Sequence, residues 1–375
     1  MKRLAAAMVV GAVGLMGAQA AGAGPILEGY GQVWWTAHEA VENGLQQAGS
    51  GDRAAQAASG FSLRRVRLSI GDTLGSARLR YEVELLLEKS ARLTDCYVAG
   101  QVAEGVELRV GQMKIPSTYE AMAPAAELDF AQPSTISGLI ADWSLSRTPY
   151  IATFMGNRGY LRDVGAALQV QHRSLRALAM VSNGLGANLF VAGGQRKEFI
   201  KANGAGDMLY GLRLDAAVSD GVQVGGHALL NRHEDMLFND EKTVIDLERR
   251  SWSADLRATG LPAGLRLTAL YAGGVVDDDY YRDDKSNYEY GGYELKALRW
   301  IRPGALEAGV RLDRYEYEYS ESGSTVTETA WTTGANWYLF GHLKVQTNYT
   351  WRATDEAYVP DLDDDVLLVN VQFSF

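Results

Sequence analysis

The chain has little cysteine, proline, histidine or basic charge, and each shortage excludes something. Its single cysteine, Cys96, rules out an internal disulfide framework, and no Cys/His spacing suits a structural zinc site. No metal and no other cofactor is therefore expected. Eight prolines in 375 residues leave no proline-rich linker. The five histidines, His38, His172, His227, His233 and His342, have neither metal-ligand nor triad spacing. Lys and Arg number 36 against 46 Asp and Glu, a net charge of −10, so a nucleic-acid partner, which requires a basic face, is excluded. Mean hydropathy is −0.15 and no long apolar run follows the N-terminus, which excludes a polytopic helical membrane protein. A membrane barrel is not excluded, because its strands are apolar on one face only.

Glycine and aromatics are plentiful: 41 Gly, 19 Tyr and 8 Trp, with 47% hydrophobic residues. That much apolar material excludes a disordered chain, and the aromatic and glycine content suits strands and turns. At the N-terminus, Lys2 and Arg3 precede an uncharged apolar stretch, Leu4 to Gly17, and then Ala18-Gln19-Ala20. This is the pattern of a secretory signal peptide over residues 1–20, with cleavage as late as 23, and the run is short for a bilayer span. The expected mature part, 21–375, is one domain with a charge of −10 − 2 = −12.

Alternation with period two dominates the rest. In Ala77-Arg78-Leu79-Arg80-Tyr81-Glu82-Val83-Glu84-Leu85 the odd positions are apolar and the even ones charged. Leu306 to Asp313 and Leu343 to Arg352 repeat the pattern. Such segments are strands with one apolar and one polar face, found alike in a soluble sandwich and in a membrane barrel. Strands are expected near 25–37, 60–71, 75–89, 92–102, 106–115, 163–172, 174–184, 207–218, 221–234, 246–260, 263–277, 287–302, 304–319, 327–339, 342–355 and 364–375. Tight links at Asp72-Thr73-Leu74, Ser219-Asp220-Gly221, Leu261-Pro262, Pro303 and Phe340-Gly341 alternate with longer polar stretches at 38–59, 116–162, 185–206, 235–245, 278–286, 320–326 and 356–363. Only Lys89 to Arg92 is short where the pattern asks for length. The fold class expected is all-β: a transmembrane antiparallel barrel of about sixteen strands.

Aromatics gather near strand ends, as in Tyr30, Trp34 and Trp35; Tyr288, Tyr290 and Tyr293; Tyr315, Tyr317 and Tyr319; Trp337 and Tyr338; Tyr349 and Trp351. An interfacial belt accounts for them, since these rings pair an apolar body with a polar tip. The chain closes on an alternating strand, Val366 to Phe375, whose terminal Phe375 is the expected signal to the barrel-assembly machinery. An exported barrel of this kind belongs in the bacterial outer membrane, among lipid and lipopolysaccharide.

Short motifs carry a family resemblance. Ser59-Gly60-Phe61-Ser62-Leu63-Arg64-Arg65-Val66-Arg67-Leu68, Gly111-Gln112-Met113-Lys114-Ile115-Pro116, Arg162-Asp163-Val164-Gly165 and Gly334-Ala335-Asn336-Trp337-Tyr338-Leu339 resemble landmarks of the phosphate-selective porin O and P family. The resemblance implies a sixteen-stranded porin, a homotrimer, with a long loop folded inward as the constriction and basic residues along an anion path. The connection 116–162 is the candidate for that loop. Its stretch from Ile115 to Ser146 has no Lys or Arg; instead it holds Glu120, Glu127, Asp129 and Asp142, which argues against phosphate selectivity.

If apolar positions face outward, Arg65, Arg67, Arg78, Arg80 and Arg109 line the lumen from early strands, with Arg213, Arg257, Arg266, Arg311 and Lys344 further round. Glu82, Glu84, Glu107, Asp215, Asp255, Glu307 and Asp313 share that face. These charges either set a field across a narrow pore or pair along the ladder and stiffen the wall. The acidic runs Asp277-Asp278-Asp279, Asp283-Asp284 and Asp363-Asp364-Asp365 read as solvated loops, or as collectors of cations bridging lipopolysaccharide. The function expected is passive diffusion of small hydrophilic or ionic solutes. A channel specific for another small anion or organic acid is the alternative, ahead of a barrel enzyme, for which no catalytic motif is found, or a structural barrel.

Overall fold

A computed structural model describes residues 25–38, 59–74, 79–87, 91–142, 162–183, 208–238, 243–278, 288–319, 324–356 and 365–375. The signal-peptide region therefore lies outside the described residues, as does Arg78. Sixteen strands are present among the described residues: β1 (Ile26–His38), β2 (Ser59–Leu74), β3 (Leu79–Leu87), β4 (Ala91–Ala103), β5 (Val106–Lys114), β6 (Arg162–His172), β7 (Leu175–Ser182) and β8 (Leu209–Ser219). They continue as β9 (Val222–Phe238), β10 (Thr243–Leu261), β11 (Leu265–Asp278), β12 (Tyr288–Arg302), β13 (Leu306–Tyr319), β14 (Ser324–Leu339), β15 (Leu343–Glu356) and β16 (Val366–Ser374). Every strand pairs antiparallel with its sequence neighbours, and β1 pairs with β16 from Tyr30↔Ser374 to His38↔Val366, so the sheet closes without an edge. Gly29 and Phe375 exchange two backbone hydrogen bonds of 3.0 Å at the seam.

Two expected connections lie elsewhere than the sequence implied, because ladder pairing continues into them. Asp72, Thr73 and Leu74 pair with Tyr81, Arg80 and Leu79, so the segment taken as a turn is strand and β3 begins at Leu79. At the β9–β10 connection, Met236, Leu237 and Phe238 pair with Ile245, Val244 and Thr243, which trims the expected loop 235–245 to 239–242.

The alternation sorts the wall into two faces. Val310 on β13 is 45% exposed while its neighbour Arg311 is 5% exposed. Leu79, Val110, Leu168, Leu256, Leu267 and Leu295 share the exposed apolar face, with Leu85 half-buried. Gln32, Arg213, Asp255, Lys296, Gln346 and Asn370 share the buried polar one. Side chains of the second set reach strands that are not neighbours, as Arg162 on β6 reaches Glu84 on β3 at 3.0 Å, so this is the concave, inward face. In β2 the register shifts between Gln32 and Val33 of the partner, leaving Arg64 as the extra residue. That bulge lets Phe61 and Leu63 point outward while Arg65 and Arg67, of the same parity, point inward.

The aromatic belt is only partly on the outer face. Trp331, Trp337 and Trp351 are exposed, but Trp34, Tyr290 and Tyr315 are buried on the inward face, where the same alternation that sets charges inside sets them too. The inward face also carries an apolar patch: Tyr97, Ala99, Ala167, Leu178, Met180 and Leu229 pack with Met113 and Ile115. In β7, Ala177-Leu178-Ala179-Met180-Val181 is apolar on both faces, as a strand covered on both sides must be.

Candidate functional site

After Ile115 the chain leaves the wall and forms two short helices, α1 (Tyr119–Met122) and α2 (Thr135–Asp142), with a 3-10 turn at Ala125–Glu127 between them. Thr118 caps α1 by accepting from the Ala121 N–H, and Ser134 accepts from the Ser137 N–H. Pro116, Pro124 and Pro133 keep these elements short. Elements this short leave most of their carbonyls without an intrahelical partner, and each needs a donor.

The barrel wall supplies the donors. Lys114 Nζ donates to the carbonyls of Ala121, Met122 and Ala123 at 3.1, 2.9 and 2.7 Å. Lys344 Nζ donates to those of Ala126 and Leu128 at 2.7 and 3.2 Å, and Arg213 to Ser117 at 2.9 Å. Arg311 donates to the Gln132 carbonyl, Asn336 to that of Asp129 and Gln346 to that of Leu128. In return the Ala131 N–H donates to Asn348 at 2.8 Å. The segment is thus hydrogen-bonded to inward side chains of β5, β8, β13, β14 and β15.

Its carboxylates meet cations as well. Asp129 lies 2.8 Å from Arg266 of β11 and 2.8 Å from Lys296 of β12. Burial raises the Asp129 carboxyl, but Lys296 and Arg266 outweigh it and hold it below the ordinary 3.8. Glu120 is 3.4 Å from the same Lys296 and accepts from the Ser134 N–H at 2.6 Å. Burial, reinforced by Glu294, pushes the Glu120 carboxyl above its ordinary 4.5 despite Lys296. The Tyr119 hydroxyl bridges Glu294 and Lys296 at 2.5 and 2.8 Å, and burial drives it well above 10.0. Glu127 is exposed, and the side chain of Asp142, the last residue of α2, falls outside the described set.

The early arginines have other partners. Arg65 donates to Gln32, and Arg67 pairs with Glu84 at 2.6 Å. Arg80 pairs with Glu107 at 3.0 Å and lies over the Tyr97 ring, while Arg109 pairs with Glu107 and donates to Gln169. The structure therefore brings Glu120 and Asp129 to β11 and β12, and ties the early arginines to carboxylates and amides of their own wall. Lys296 escaped the sequence reading, and Lys114 and Arg162 entered it only within family motifs, with no role of their own. Lys296 stood in the alternating Glu294-Leu295-Lys296-Ala297, the same signal that marked its neighbours. Cys96 sits half-buried, in the outward phase with Val98.

Two cavities flank the segment. One of about 490 Å³ lies against Tyr119 and Met122, with Arg173, Arg176, Arg213 and Arg257 in its lining. The other, of about 520 Å³, lies against Ala126 and Glu127, with Trp300, Tyr338 and Lys344.

A closed sixteen-stranded barrel, apolar outside and charged within, is the architecture of outer-membrane porins. The sequence profile of the phosphate-selective porin O and P family matches residues 38–218 and 259–375, and the chain belongs to that family. No curated protein matches the sequence. Among solved structures, the anion-selective porin from Comamonas acidovorans aligns at 11% identity and TM-score 0.63, over 94% of this chain and 100% of that one. The outer membrane channel DcaP of Acinetobacter baumannii aligns at 12% identity and TM-score 0.59, over 94% and 98%. OmpT of Vibrio cholerae, in a trimer form, aligns at 11% identity and TM-score 0.61, over 94% and 99%. At these identities the likeness is one of fold, and the fold is that of outer-membrane porins.

Proposed function

We propose that the protein is a passive diffusion channel of a Gram-negative outer membrane, exported through a signal peptide at 1–20 and assembled as a homotrimer. The observation that carries the reading is the inward face: charged and amide side chains from strands on opposite sides of the barrel, Arg213 of β8 and Lys344 of β15, both bind the segment after β5. A segment that reaches both crosses the lumen, and so narrows it rather than leaving a wide pore. Glu120, Glu127, Asp129 and Asp142 on the segment, and Arg65, Arg67, Arg78, Arg80 and Arg109 on the wall, are the pore-lining set of this reading. Small solutes are the cargo, lipid and lipopolysaccharide the surroundings, and Phe375 the assembly signal. The trimeric relative supports the oligomer. No reaction chemistry is part of this function.

The test is single-channel recording of the full chain in planar bilayers. Ohmic current in proportion to bulk salt is expected. A folded, inserted barrel that passes no current in 1 M KCl would overturn the reading.

A further inference from the structure

The 490 Å³ cavity beside α1 carries more positive charge than its acids balance. Four arginines line it, and two of them are paired with carboxylates. Arg213 is bonded to Asp215, Asp255 and the Ser117 carbonyl, and Arg257 to Asp215 and Asp255 with its guanidinium 5.4 Å from the Tyr119 ring centre. The other two stand at the tight link between β6 and β7. Arg176 donates to the neutral amide of Gln169 at 3.0 Å, and the Arg173 side chain makes no hydrogen bond or ion pair among the described residues. Setting four guanidiniums against Asp215 and Asp255 leaves 4 − 2 = 2 positive charges facing the space.

The lining also has apolar groups: Met122, Ala123 and Pro124 from the segment, and Ala216 and Ala217 from β8, where the Ala217 N–H donates to the Ser174 carbonyl beside Arg173. An inorganic anion would satisfy the arginines and leave these groups wet and unused. A molecule with a carboxylate at one end and a hydrocarbon body at the other would use both, because a guanidinium takes a carboxylate through two parallel hydrogen bonds and the body removes apolar surface from water. The volume falls within the range of about 300–1,000 Å³ typical of small-molecule sites.

We propose that this cavity is a binding site for a small organic carboxylate on its way through the barrel, held at Arg173 and Arg176 with its apolar body against Met122 and Ala217. The proposal rests on the channel reading for its purpose, but binding can be measured without current. The probes are benzoate and inorganic phosphate, and the protein is the detergent-purified full chain, its fold checked by heat-modifiable migration. Benzoate is expected to raise the thermal unfolding midpoint and to block KCl current saturably, at a concentration at least fivefold below that for phosphate. R173A/R176A should raise the half-blocking concentration of benzoate at least fivefold and abolish the thermal shift. The milder R176Q, which preserves most of the lining, should raise it by a smaller factor. M122Q should weaken benzoate and leave phosphate unchanged. Equal block by phosphate and benzoate would make the site one for any anion and overturn the proposal. So would an unchanged benzoate response in R173A/R176A. If no variant conducts, the channel reading fails, while the thermal shift still decides whether the carboxylate site exists.

Discussion

Lys296 shows what one side chain contributes. It is 3% exposed and serves Asp129, Glu120, Glu294 and the Tyr119 hydroxyl at once. Removing one partner of a buried ionic cluster leaves the others uncompensated, at a cost of about 3–5 kcal/mol. K296M is therefore expected to lower unfolding stability by that amount, read as a shifted guanidinium midpoint in lipid vesicles, and E120Q added to K296M should recover part of it. A loss no larger than that of an ordinary surface substitution would show the cluster to be dispensable. The two carboxyls of the segment also titrate in opposite senses. The raised Glu120 takes its proton more readily folded than unfolded, so stability gains as pH falls from its raised value to 4.5. The lowered Asp129 gives stability that is present above 3.8 and lost as pH falls through its depressed value. Mild acid should thus leave the segment docked and stronger acid release it. Unfolding midpoints of the wild type and D129N between pH 2 and 7 test this: the D129N penalty should be full above 3.8 and shrink as pH falls below it.

At the scale of strands, the outward positions face hydrocarbon, where a buried guanidinium costs about 2–4 kcal/mol at mid-membrane and little near the rims. V310R should unfold at lower denaturant by that margin, while T325K, at the Ser324 end of β14, should cost far less. Glycine has a separate task at Gly165 in β6: a Cβ there would lie 2.1 Å from the Val181 carbonyl oxygen of β7. G165A must push the two strands apart, at about 1–3 kcal/mol, and thermal unfolding of the folded band on gels measures it. Much of this element scale was legible in the sequence, since period two reports a half-lipid, half-polar strand directly, as in Leu343 to Arg352. Strand ends were less so: Asp72 and Thr73 have turn chemistry but continue the ladder with Tyr81 and Arg80. Nor does alternation tell a wet inner residue from a packed one. Leu178 and Met180 point inward under α1, and Tyr290 and Tyr315 are buried inside although their spacing matches a belt. The partners of Asp129 were out of reach because Arg266 and Lys296 lie more than a hundred residues away, and only barrel closure brings them near.

For the whole molecule, the question is which of its many charges an ion feels. The chain carries −10, yet most inward charges are paired: Arg67 with Glu84, Arg80 and Arg109 with Glu107, Arg266 with Glu307. A paired charge acts on a passing ion as a dipole, and its field falls faster than that of a lone charge. On the segment, Glu120 and Asp129 are paired, while Glu127 is exposed and makes no ion pair among the described residues. The net charge is thus a poor guide to selectivity, and Glu127 is the segment carboxylate with most influence on the ion stream. E127Q should move the reversal potential in a KCl gradient toward anions with little change in conductance. D129N should move it the same way and also raise conductance, because Lys296 and Arg266 lose the group that holds the segment to β11 and β12. R80A should move it toward cations, because it leaves Glu107 with Arg109 alone and Glu82 without its ion pair. Asn at Asp277, Asp278 and Asp279 together should do little in 1 M salt, where screening acts over about 3 Å. All four are measured in one gradient. If the Asp277–Asp279 variant shifts the potential most, the field that selects ions belongs to the far rim of the barrel, and the segment after β5 does not set selectivity.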